Sequence, residues 1–331
     1  MKNQRPAANG KRWRSGRSAT TRASLVGASS QRGRRAAPLL ALLLLASEGM
    51  ALPSAEAADL VVDSGTTTIS DTQSYGTTIV ATSASDTATL AVTTSGTLTN
   101  SGDLSVGADG IGALTVSGGT VSNVDGYIGN GGGSNGAVTV SGGTWANSGL
   151  LDVGRYGTGA LTVSGGSVTS RAGYLGYAGG GVGTATVSGG TWANSGELQV
   201  GHDGSGNSLV ISNGGTVTSQ NAVVGYNSGS SGNNVLVTGV GSTLGMGGEL
   251  RVSFDGNTGN MMTIAAGGIV LNGSGFIGSY SSNSSNNSVL VTGAGSLWMN
   301  LGNLYVGETG HDNSLPSVPM IGETPALSPL E

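Results

Sequence analysis

The sequence predicts an all-β fold: a right-handed parallel β-helix, or solenoid, of about nine circuits of about 24 residues each. Three observations predict it. A short phrase, apolar–polar–apolar–Gly, recurs as LSVG (104–107), GYIG (126–129), LDVG (151–154), GYLG (173–176), LQVG (198–201), VVG (223–225), LRVS (250–253), GFIG (275–278) and LYVG (304–307). A second phrase alternates with it, from ALTVSGG (113–119) to VLVTGAG (289–295). No helical apolar period occurs after residue 58, and the 63 glycines of 331 residues fall at repeating places, where they mark corners.

Residues 1–58 differ in kind from the rest. Ten of the 13 basic residues lie between Lys2 and Arg35. The apolar stretch within 36–47 is too short to span a bilayer, and Ala55-Glu56-Ala57 follows as a small-residue cleavage site. This segment reads as a signal peptide with a long basic lead, and the mature chain is expected to begin near Ala58 or Asp59. The lead is either a specialised export signal, for which Arg34-Arg35 is a weak twin-arginine cue, or the product of a start codon assigned too early.

Residues 59–95 are rich in Thr, Ser and Asp with only a loose period, and are read as irregular first circuits or a cap. The repeats occupy 96–315. Within them Leu114-Thr115-Val116 alternates as a half-buried strand does, apolar inward and Thr outward. A third apolar position follows each corner: Val121, Trp145, Val168, Trp192, Val217, Leu244, Ile269 and Trp298. Its membership of Val, Leu and Ile assigns the tryptophans to the core. Two residues further on stand Asn100, Asn123, Asn147, Ser170, Asn194, Ser219 and Asn300, expected to hydrogen-bond along the axis. One circuit buries roughly four apolar side chains at about 1.5–3 kcal/mol each, against about 1–2 kcal/mol to order each backbone residue, so circuits are stable only when stacked. In 316–331, Pro316, Pro319 and Pro325 interrupt the pattern, since proline cannot donate to an interior ladder. The last circuit is therefore expected to lack a cap and to be a site of end-to-end self-association.

Charge narrows the partners. Residues 59–331 carry 3 basic against 16 acidic side chains. So few cations cannot neutralise phosphates, which excludes nucleic acid as a partner. The chain has no cysteine, hence no disulfide and no thiolate metal site.

Phrases such as GALTVSGGTV, TWANSGELQVG and VTGAGSLWMNLGNLYVGETG resemble the repeats of type V secretion (autotransporter) passengers and of PEP-CTERM-associated proteins, over residues 59–315. The resemblance implies a β-helical passenger at the Gram-negative cell surface, outer-membrane-associated or secreted, with an adhesive or structural role. It also implies a C-terminal transmembrane β-barrel or a Pro-Glu-Pro anchor. This chain contains neither pattern and reads as a passenger without its anchor: truncated, frameshifted, or released by another route.

No cofactor or metal site is read. His202 and His311 each sit in a turn beside an acid and read as solvated residues. Asp109, Asp203 and Asp255 each offer one carboxylate, where calcium needs six to eight oxygens. The middle residues of the first phrase form a column expected to face outward: Ser105, Tyr127, Asp152, Tyr174, Gln199, Val223, Arg251, Phe276 and Tyr305. Its oppositely charged members, Asp152 and Arg251, lie four circuits apart, about 19 Å, so the column reads as non-catalytic. Tyr127, Tyr174, Phe276 and Tyr305 are the candidate glycan-stacking surface; the alternative is that they pack under turns. The expected function is an exported, non-enzymatic solenoid that adheres to an extracellular glycan or a host or biofilm surface. The alternatives are a polysaccharide-active β-helical enzyme and a nonfunctional fragment.

Overall fold

The computed structural model describes residues 57–316. The signal peptide read in 1–58 lies outside the described residues except for its last two, and the tail of 316–331 except for Pro316. Every regular element among the described residues is a strand. All pairings are parallel, and the chain winds as a right-handed β-solenoid.

Each circuit lays one strand in each of three sheets. The first sheet stacks eleven strands, from Leu60–Val62 to Leu304–Val306, and contains the apolar–polar–apolar–Gly phrase. The second contains the TVSGG phrase, with Leu161 over Val138 and Val163 over Val140. The third contains the tryptophans and the asparagine column. Second- and third-sheet strands run together without a break in Ile111–Asn123 and Asn135–Asn147. Ten full circuits result, followed by the opening strand of an eleventh, about 48 Å of rod at 4.8 Å per step. The two circuits beyond the phrase count come from residues 60–100. Leu60–Val62 there pairs with Thr78–Val80, which pairs in turn with Leu104–Val106.

The fourth residue of the phrase explains its glycine. Gly176 has φ +65°, the left-handed region, where a side chain costs about 1–2 kcal/mol. The repeat needs that conformation to turn out of the first sheet, and Ser253, the one exception within 104–307, adopts it at φ 71°.

The core is apolar on two sheets and mixed on the third. Leu114 and Val116 are fully buried, as are their equivalents in later circuits up to Val289; Val291, in the last full circuit, is half-buried. On the third sheet Trp145 and Trp192 are also fully buried, each followed by a buried Asn. The indole N–H of Trp145 donates to Asn123 Oδ1 (2.7 Å), and Asn123 Nδ2 donates to Asn147 Oδ1 one circuit on (2.7 Å). Trp298 repeats this with Asn272, whose Nδ2 donates to Asn300. Asn272 belongs to the column because Val270, not Ile269, is the inward residue; Ile269 pairs with Thr243 on the outer face. Three consecutive apolar residues, Ile269-Val270-Leu271, carry no alternation from which to choose the face.

A second asparagine ladder escaped the sequence reading. Asn207, Asn233, Asn260 and Asn287 are buried, one per circuit, at the turn entering the second sheet. Asn233 Oδ1 accepts from both the backbone N–H (2.9 Å) and Nδ2 (2.8 Å) of Asn207, and Asn260 Oδ1 serves Asn233 likewise. These side chains fill the space that a Cβ would take at Gly176, Gly201 and Gly225. The glycine that ends one strand and the asparagine that starts another are thus one packing unit.

Candidate functional site: an aromatic ladder on the first sheet

The stacked surface rings and the charged strand residues of the described solenoid gather on the first-sheet side of the rod. The second- and third-sheet strands contain no charged residue, and their outward positions are mostly Thr, Ser and Ala until the last circuits. The charged side chains of the described solenoid sit in the first sheet or in turns.

Rings one or two residues past the left-handed corner build the main feature. Tyr177, His202, Tyr226, Phe254 and Tyr280 come from five successive circuits and stack as a ladder. Centroids are 4.9, 5.3, 5.2 and 4.7 Å apart, and the planes lie 4°, 11°, 10° and 29° from parallel. Strand spacing sets this distance: Tyr226 N–H donates to Gly201 O and Phe254 N–H to Gly225 O, so each ring is held one step above the last. The ladder gives His202 a different role from the solvated one expected of it. Its ring is sandwiched between Tyr177 and Tyr226, its Nδ1 meets Gln199 Oε1, and Asn227 Nδ2 donates toward its Nε2 (3.4 Å).

Much of the middle-residue column is less exposed than the alternation predicts. Ser105, Asp152, Gln199, Val223 and Phe276 are buried. The four candidate stacking rings are placed as follows. Tyr127 is half-buried, donates to Asp125 Oδ2 (3.1 Å) and carries the Arg155 guanidinium 4.2 Å above its ring. Burial and the neighbouring carboxylates push its phenol pKa up. Tyr174 is half-buried, edge-on to Tyr177 and His202 at 5.5 Å, and burial raises its phenol pKa too. Phe276 lies between Arg251, 4.1 Å from its centroid, and Tyr305, stacked at 5.0 Å. Tyr305 is exposed. The structure thus joins Phe276 with Tyr305 and attaches Tyr174 to the ladder, while Tyr127 stands apart beside Asp152. Most of these faces are engaged by neighbours, so the side of the rod offers ring edges and hydroxyls.

Asp152 is the column's buried charge. It is 1% exposed, its Oδ2 lies 3.5 Å from Arg155 Nε, and its Oδ1 has no hydrogen-bond partner. Burial pushes its pKa up to about 7, with Arg155 opposing and Asp125 reinforcing the shift. Among the described residues no three His, Asp or Glu side chains converge closely enough to hold a metal ion.

One notch of about 160 Å³ opens beside the ladder, lined by Glu197, Asn221, Ala222, Val223, Tyr226, Glu249, Arg251 and Phe254. Its cause lies in the column. Val223 pairs with Gln199 on one side and Arg251 on the other, and is too short to fill the space that they span.

The fold and this face define a parallel β-solenoid rod with one chemically distinct side. No protein family, curated protein sequence or solved structure matches this chain.

Proposed function

We propose that this chain is an exported, non-enzymatic β-solenoid passenger acting in surface adhesion or structural display. The observation that carries the reading is the segregation of side chains: a five-ring ladder with flanking charges runs along one face, opposite two uncharged sheets. A contact surface extended over five circuits suits a long polymer or a surface, whereas a catalyst concentrates its groups at one point. Asp152, whose pKa burial raises to about 7, has the acid–base character of a catalytic group, but its burial denies a substrate access, which supports the non-enzymatic reading.

The test immobilises the full chain on beads and measures retention under flow on glass coated with neutral polysaccharide. The reading predicts retention that falls when Tyr226 and Phe254 are both replaced by Ala. Release of reducing ends from the coating would favour the enzyme reading instead.

A further inference from the structure

We propose that the notch over Val223 is a binding subsite for a single uncharged pyranose of a glycan chain lying along the rod. The proposal rests on the adhesive reading above and names the ligand class for it.

Val223 makes a short apolar floor, and Ala222 beside it turns its side chain into the core. Glu197, at the start of one first-sheet strand, and Glu249, directly before another, stand two circuits apart, about 10 Å along the axis. Glu197 Oε2 accepts from Gln199 Nε2 (2.7 Å), and Glu249 Oε2 accepts from Arg251 Nε (3.0 Å) and Nη2 (2.6 Å). In each carboxylate Oε1 is left to accept from a ligand hydroxyl. Asn221 Oδ1 accepts the Glu249 backbone N–H (2.8 Å), which leaves its Nδ2 as a donor at the notch. Acceptors, one donor and an apolar floor in so small a space match the hydroxyl rim and C–H face of one sugar ring.

Charge decides against the other occupants. An anionic sugar meets two carboxylates and one guanidinium, and that guanidinium is already paired to Glu249 and stacked 4.1 Å from Phe276. A quaternary ammonium needs aromatic faces. Those of Tyr226 and Phe254 are spent on each other, with centroids 5.2 Å apart. The electropositive ring edges that remain favour hydroxyl oxygens.

The experiment is saturation-transfer NMR on the full chain with maltohexaose, cellohexaose and polygalacturonate. At least one of the two neutral oligosaccharides is expected to bind and polygalacturonate to give no transfer. Val223→Tyr, which installs a residue that the same column carries at Tyr127 and Tyr174, should weaken binding by about tenfold or more. Glu197→Gln, at an accessible position, should weaken it without touching the floor, and stands in if Val223→Tyr does not fold. No transfer from either neutral oligosaccharide, unchanged binding in both variants, or equal binding of polygalacturonate overturns the proposal. The bead assay separates the two readings: retention of wild type and Val223→Tyr alike, without oligosaccharide binding, sinks the notch and leaves adhesion standing.

Discussion

Trp192 occupies the space that a side chain at Gly173 would need: a Cβ built there would lie 2.5 Å from Trp192 Cζ2. Gly126 stands in the same relation to Trp145, and Gly275 to Trp298. From residue 104 on, each circuit whose phrase opens with Gly holds a Trp in its third strand, whereas those opening with Leu104, Leu151, Leu198 and Leu250 hold Val there. The core volume of a circuit is shared between these two positions, and one large residue excludes the other.

Exchange within that pair is therefore expected to be compensatory. Trp192→Val should cost about 3 kcal/mol through the cavity it leaves. Gly173→Leu should cost at least as much by overpacking. The double variant should recover about 2 kcal/mol or more of the combined loss, read as a double-mutant coupling in urea unfolding.

The buried asparagine ladder should behave as a chain of dependent links. Asn233→Ala removes the acceptor of both Asn207 donors and costs about 2–4 kcal/mol. The circuits stack only on their neighbours, so the damage should be local. Hydrogen exchange should quicken at the amides of Asn207 and Asn234 and remain unchanged near Val92.

Asp152 makes stability fall with rising pH. Its folded pKa of about 7 lies above the ordinary 3.8, so the native state binds more protons than the unfolded chain between those values. The contribution is fully present below about pH 4 and is lost as pH rises through 7, on the order of 4 kcal/mol in all. Asp152→Asn should flatten the melting temperature against pH across this window and raise it above pH 7. A wild-type melting temperature that climbs from pH 4 to 8, with no change in the slope in Asp152→Asn, would count against this.

Export is tested by the N-terminus of the secreted product. Expression in a Gram-negative host should yield a mature chain that starts near Ala58 or Asp59. Retention of the basic segment from Lys2 to Arg35 would refute the signal-peptide reading.

The core was legible because it obeys two simple periods. Leu114 and Val116 alternate with Thr115, and the phrase returns at an almost constant interval, so strand, face and stacking could be read together. The Trp–Asn bonds were half legible: the columns were visible, but that Trp145 donates to Asn123 depends on indole reach across circuits. The ring ladder was missed because its members follow a corner whose length varies. Tyr226 comes directly after Gly225, but Ser279 intervenes between Gly278 and Tyr280. Alternation misjudged the exposure of Gln199, which bonds the His202 ring, and of Phe276, flanked by Arg251 and Tyr305, since polarity says which way a side chain leaves a sheet and nothing of what its neighbours lay over it.

The central claim is that the rod meets its partner through the ring-bearing side of the first sheet. Hydroxyl-radical footprinting of the full chain, free and bound to beads carrying a neutral polysaccharide, tests it most directly. Protection is expected at Tyr226, Phe254 and Tyr280, with Leu236, Met261 and Leu271 on the other two sheets unchanged. Protection of those three residues, with the ring ladder left reactive, would contradict it.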